Sequence, residues 1–160
     1  MSVAFVREES AEAAQEITLP ERPISTHPNL VTRSGLMALE RAAAESGAAL
    51  KAAQAIEDAS ERRRALELAA RDARYYSERL ASAILRPDPE NKEIVTFGHR
   101  VTLLRNGERR QTFRIVGEDE ADPRSGSISY VAPLARLLIG KRVGDAVELD
   151  GHEIEILEIV

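Results

Sequence analysis

Two carboxylates three residues apart, Asp58 and Glu61 in Glu57-Asp58-Ala-Ser-Glu61, are the groups in this sequence best spaced to do chemistry together. Carboxylates are hard oxygen donors and can also act as helix caps. The same spacing makes a capping box, with Asp58 at the start of a helix and Glu61 at its third position. Arg62-Arg63-Arg64 follows directly, either as a contact for phosphate or acidic protein surface or as a solvated helix face. A second acidic run, Gly117-Glu-Asp-Glu-Ala-Asp122, lacks the alternating ligands and central glycine of an EF-hand and reads as an acidic loop at a strand end.

The remaining reactive residues point away from an independent enzyme. His27, His99 and His152 fall on different segments without ligand spacing, and the chain has no cysteine for thiolate chemistry, disulfides or zinc. No phosphate loop, dinucleotide fingerprint or nucleophile elbow occurs. Tyr75-Tyr76 offers rings for base stacking, but Tyr76 falls on the apolar seam of a helix, so both read as packing. A net charge of −5 argues against gripping nucleic acid along the protein's own surface, which needs clustered Lys and Arg, and favours a protein partner.

These residues are positioned by two kinds of element. From Thr32 to about Glu57 the chain is proline-free and alanine-rich, with Leu36, Leu39, Ala43, Leu50 and Ala53 on three- and four-residue steps, which predicts a helix interrupted by Ser46 and weakened at Gly47. Ser60 to Leu85 carries Leu66, Ala69, Ala73, Tyr76, Leu80 and Ala83 on a heptad seam. The two form an antiparallel hairpin with its turn near Asp58 to Glu61, each arm reaching roughly 40 Å at 1.5 Å per residue. Pro87 and Pro89 are expected to end the second helix.

Beyond residue 93 the pattern becomes β. Short runs at Ile94–Phe97, Val101–Leu104, Thr112–Val116, Ile128–Val131, Ala146–Leu149 and Glu153–Ile159 are separated by turn signals, among them Asn106-Gly107 and Asp150-Gly151. A short helix is expected over Pro133–Ile139, with proline in its first turn and Gly140 at its end. The expected organisation is an N-terminal arm over 1–31, extended or flexible around Pro20, Pro23 and Pro28, with a short helix possible at Glu8 to Glu16. The hairpin then spans 32–86, a linker 87–93, and an antiparallel β domain 94–160. The fold class is α+β.

The C-terminal seventy or so residues resemble the C-terminal domain of Gre transcript cleavage factors. The resemblance is carried by Ile115-Val-Gly-Glu-Asp-Glu-Ala-Asp122 and by Ala132-Pro-Leu-Ala-Arg-Leu-Leu-Ile-Gly-Lys-Arg-Val-Gly-Asp145, in that order. It implies an FKBP-like domain that docks on the rim of the RNA polymerase secondary channel, and a coiled coil that enters the channel. The charged docking candidates are then Arg136, Lys141 and Arg142, with Leu134, Leu138 and Ile139 in the core and the 117–122 loop a further candidate polymerase contact.

In active members of that family two acidic residues at the coiled-coil tip help to hold a second Mg²⁺ in the polymerase active site, which here falls to Asp58 and Glu61. The protein would need no cofactor of its own, only the polymerase's Mg²⁺. Set against the family pattern the hairpin is about a dozen residues short, which removes on the order of 9 Å of reach. Two activities therefore follow from the resemblance: stimulating cleavage of backtracked RNA, or occupying the channel without cutting. Either is that of a cytoplasmic monomer, without a membrane, that meets nucleic acid only within the transcription complex. The opening residues lack the apolar stretch of a signal peptide.

Overall fold

The computed structural model describes residues 18–160, so the start of the arm and the short helix expected at Glu8 to Glu16 lie outside the described residues. Two helices, α1 (Arg33–Gln54) and α2 (Ala59–Ala81), pack as an antiparallel hairpin. Thr32 starts α1 from an extended backbone, its hydroxyl accepting from the Gly35 N–H at 3.0 Å. Small side chains let the helices approach, and the buried positions of α1 are Gly35, Leu39, Ser46 and Ala53. Ser46 does not break this seam, because its buried hydroxyl donates to the carbonyls of Ala42 and Ala43 at 2.8 and 3.1 Å.

α2 stops at Ala81, short of the expected Leu85, and the prolines play no part in ending it. A tertiary pairing overrides the helical pattern there. Strand β1 (Leu30–Val31) pairs in parallel with β2 (Ile84–Leu85), tying the start of α1 to the exit of α2. The seam also departs from expectation near the base of the hairpin, where Arg79, at 2% exposure, is buried in α2 while Leu80 is only half-buried.

The second unit is a five-stranded sheet in the order β5-β4-β3-β7-β6, built from β3 (Arg100–Arg105), β4 (Arg109–Val116), β5 (Ser127–Ser129), β6 (Ala146–Leu149) and β7 (His152–Ile159). Asn106 and Gly107, and Asp150 and Gly151, take positive φ at the two hairpin turns as their residue types require. The sheet is mixed rather than antiparallel: β5 runs parallel to β4 because residues 117–126 cross over between them instead of turning back in a hairpin. The expected strand at Ile94–Phe97 is irregular. Val95 nevertheless enters the core and exchanges backbone hydrogen bonds with Lys141 and Gly140, at 2.8 and 2.9 Å.

The core lies on one face of the sheet, where Val101, Leu103, Ile115, Ile128, Ile154 and Ile156 alternate inward and α3 (Pro133–Leu138) packs Ala135 and Leu138 against them. Leu134 packs partly, as a core residue should. Ile139 does not, and is 38% exposed. The helix has ended one residue earlier and the backbone has turned extended (ψ 129), so the helical period no longer aims Ile139 inward.

Candidate functional site

The hairpin tip is a four-residue link between helices. α1 ends on Ala55, and Asp58, with extended backbone, starts α2 by accepting the Glu61 N–H on its Oδ1 at 2.7 Å. The capping reading of Asp58 is therefore realised. Both Asp58 and Glu61 are exposed, and both stand at a helix N-terminus, where the peptide dipoles favour negative charge. Arg62 is not a free contact: its guanidinium donates to the carbonyls of Ile56 and Glu57 at 2.9 and 3.2 Å and so closes the turn. Arg63 approaches Glu67 at 3.9 Å, one helical turn on.

Among the described residues no group of three or more His, Cys, Asp or Glu side chains is gathered for a metal. The tip offers one Asp58 oxygen not used by the cap, together with the Glu61 carboxylate. Hard oxygen donors of this kind fit Mg²⁺, but the rest of its coordination shell would have to come from a partner.

The docking candidates lie in the other unit. Arg136, on the outer side of α3, and Lys141 and Arg142, in the loop that follows, are all exposed. Ile139 and Val143 are exposed beside them, at 38% and 53%, which gives this segment an apolar as well as a basic character. The loop is pinned by the Arg142 N–H, which donates to the Asp145 carboxylate at 2.8 Å.

What joins the two units escaped the sequence. The acidic loop, a candidate external contact from its composition, is turned inward onto the base of the hairpin. Asp119 accepts from the Arg79 Nε at 2.6 Å and from the Tyr75 hydroxyl, and Glu118 lies 3.8 Å from the same guanidinium. Glu120 accepts from Thr32 and Ser34, both at 2.6 Å, at the start of α1. The Asp122 carboxylate accepts from the Ser125 hydroxyl and the Arg124 N–H, which lowers its pKa. Arg79 also donates to the Asn29 side chain at 2.7 Å, so arm, hairpin and β domain meet on one buried cation. Burial, then the bond to Asp119, pushes the Tyr75 hydroxyl up to about 12.

The loop can come this close because residue 117 is glycine: an added Cβ would sit on the Leu30 carbonyl oxygen. Two signals in the sequence pointed to this interface without being read: an arginine beside an apolar seam, and four carboxylates following a glycine. The tyrosine pair is likewise used internally. Its rings meet edge to face at 5.2 Å, and the Arg22 guanidinium of the arm lies 3.8 Å over Tyr75 and 4.9 Å over Tyr76.

Residues 90–160 match the family described as "Transcription elongation factor, GreA/GreB, C-term". That segment is similar to the C-terminal domain of the Gre factors. Among curated relatives, the transcription elongation factor GreB of Neisseria meningitidis serogroup B is 45% identical over 93 residues, covering 54% of this chain and 56% of that protein. The GreA of Mesorhizobium japonicum is 44% identical over 73 residues, covering 41% of this chain and 46% of that protein. The chain thus spans about half the length of the curated Gre relatives it matches. Among solved structures, GreA factor homolog 1 of Thermus thermophilus is 21% identical and covers 84% of this chain and 99% of that one, at a TM-score of 0.40. No helix among the described residues is long and apolar enough to cross a membrane.

Proposed function

We propose that this protein is a transcription elongation factor that binds RNA polymerase at the rim of the secondary channel through its Gre C-terminal domain and directs the hairpin tip into the channel. The observation that carries this reading is the Gre family match over 90–160. In support, that domain is fixed to the hairpin through Arg79 and Glu118 to Glu120, so a partner that held the domain would also aim the tip. Docking draws on Arg136, Lys141 and Arg142 for charge and on Ile139 and Val143 for apolar area. Exposed basic groups of this kind set the association rate and its salt dependence.

Within this reading the main activity is occupancy of the channel and competition with cleavage factors. Helices of 22 and 23 residues rise only about 33 to 35 Å. One oxygen of Asp58 is already committed to its cap. The protein is no enzyme by itself; it works as a monomer in the cytoplasm and meets RNA only inside the transcription complex. The cleaving alternative is favoured by the exposure of Asp58 and Glu61, which could be lent to the polymerase's own Mg²⁺.

The test is a binding and RNA cleavage assay on stalled elongation complexes of the native polymerase, with the wild type, Asp58→Asn, and a variant in which Arg136, Lys141 and Arg142 are all replaced by Ala. Binding that weakens in the triple variant, with little or no cleavage by the wild type, is expected. Strong wild-type cleavage lost in Asp58→Asn would select the cleaving alternative. A triple variant that bound as well as the wild type would move the docking face elsewhere.

A further inference from the structure

One margin of the sheet is only half covered. β5 pairs with β4 at Arg114, Ile115 and Val116 alone, so the stretch from Arg109 to Thr112 has a strand neighbour on the β3 side only. Peptide groups alternate in direction along β4. Ile115 donates to His99 on the β3 side, whereas Arg114 donates to Gly126 and Val116 accepts from Tyr130 on the other, each at 2.9 Å. By that alternation the Arg110 N–H and C=O and the Thr112 N–H point out of the open margin, which ends where the Thr112 carbonyl oxygen faces Gly126.

The same stretch carries a cluster of cations. Arg105 and Arg109 stand opposite each other across the β3–β4 hairpin, and Arg110 follows on the other face of the sheet. Among the described residues Arg105, Arg109 and Arg110 have no carboxylate partner, and the Arg105 Nε is buried with no hydrogen bond. On its own face Arg110 is followed across the sheet by Leu104 and only then by Glu155, about 10 Å away at ordinary strand spacing. In a chain of net charge −5, three unpaired arginines at one hairpin make a local positive field. α3 lies beside β6, at the opposite margin of the sheet, so this surface is separate from the segment around Arg136 to Arg142.

We propose that the Arg109 to Thr112 margin of β4 receives an extended acidic segment of a partner protein as an added strand. Two sets of groups select that partner together. The open peptide groups of Arg110 and Thr112 call for a backbone in strand geometry. Side chains of an added strand alternate between the faces, so neighbouring acidic residues meet Arg109 on one face and Arg110 on the other. Phosphate would satisfy the arginines alone and leave the peptide groups to water. A second copy presenting the same margin would set arginine against arginine, which like charges oppose. The contact forms whether or not the hairpin tip enters a polymerase channel, so it stands apart from the functional reading above.

The probe is the peptide acetyl-Glu-Glu-Thr-Val-Glu-Glu-amide, acidic at both ends so that either strand direction brings a carboxylate pair to Arg109 and Arg110. Titrated into the isotopically labelled full-length protein, it should shift the Arg110 and Thr112 amide resonances saturably and slow their exchange with solvent. Affinity should fall by about tenfold in the R109Q/R110Q variant at unchanged circular dichroism. It should fall by about as much for the same peptide N-methylated at every residue, which keeps the charges and loses the backbone donors. No shift at these amides with millimolar peptide overturns the proposal, as does binding indifferent to both changes. Binding lost in R109Q/R110Q but kept by the methylated peptide also overturns it, since charge alone would then hold the ligand. An oligouridylate that shifted the same amides as strongly would make the site one for phosphate, and concentration-dependent shifts without peptide would give the margin to a second copy; either result counts against an acidic partner strand.

Discussion

At the scale of single residues, the decisive group is Arg79, a cation at 2% exposure whose charge is met by Asp119 at 15%. Breaking a buried pair costs more than the pair contributes, because the remaining charge stays desolvated. Asp119→Ala should therefore destabilise the protein by about 3 kcal/mol. Asp119→Asn, whose amide oxygen still accepts from Arg79 while its NH2 can donate to the Tyr75 hydroxyl, should cost about half as much. Denaturant titration of the two variants checks the order. His99 gives a second prediction. It is fully buried, and its Nδ1 accepts the Thr96 N–H at 3.0 Å, so the neutral ring is the one that fits. Burial holds its pKa below the ordinary value of 6.5, the Asn91 backbone opposing that shift. With the folded pKa lowered, both states are neutral above pH 6.5; below it the unfolded chain takes up the proton first. Stability should accordingly be full above pH 6.5 and fall as pH drops from 6.5 toward the lower folded value. Melting curves between pH 7.5 and 5.5 should show this slope in the wild type and a flatter one in His99→Asn, whose side-chain oxygen can replace Nδ1.

At the scale of elements, Asp58 separates local from functional roles. Its cap on Glu61 is exposed and holds only the first turn of α2, so Asp58→Ala should cost about 1 kcal/mol, while Asp58→Asn and Asp58→Ser should melt within a few tenths of a kcal/mol of the wild type. A loss in Asp58→Ser as large as in Asp58→Ala would mean that the carboxylate does more at the tip than cap. The cap was legible in the sequence because capping is local, and so were the two Asn-Gly and Asp-Gly turns, α3 and the strands of both hairpins. What could not be read was set by partners distant in the chain. The end of α2 depends on Leu30–Val31 pairing with Ile84–Leu85, more than fifty residues apart, and neither dipeptide carries a signal for a parallel bridge. The parallel β4–β5 pair depends on a crossover whose acidic loop is held by α1 and α2. Composition made that loop look like a surface for another protein; only the position of Arg79 turns it inward.

At the scale of the whole molecule, two units of unequal independence share one small interface. Every residue of the buried β-domain cluster lies between Val95 and Ile159. The segment just before it is needed too: Asp88 pairs with Arg114 at 3.0 Å, and Pro89 packs where Gly98 has no side chain. A fragment of residues 88–160 should therefore fold by itself and unfold cooperatively, because it retains its whole core and all five strands. It should be less stable than the β domain in the intact chain, since it loses the bonds of Asp119 to Arg79, of Glu120 to Thr32 and Ser34, and of Tyr130 to the Pro28 carbonyl. At roughly 1 kcal/mol for each hydrogen bond lost, most of them exposed to water once the hairpin is gone, the deficit should be about 3 kcal/mol. Amide exchange locates it: protection should persist in β3, β4 and β7 and fall at residues 118–121, which the hairpin base covers in the whole protein. A fragment without a cooperative transition would show that the interface carries the fold of the β domain. A fragment as stable as the β domain in the intact chain, with the loop still protected, would show instead that the Arg79 interface orients the hairpin without stabilising the domain.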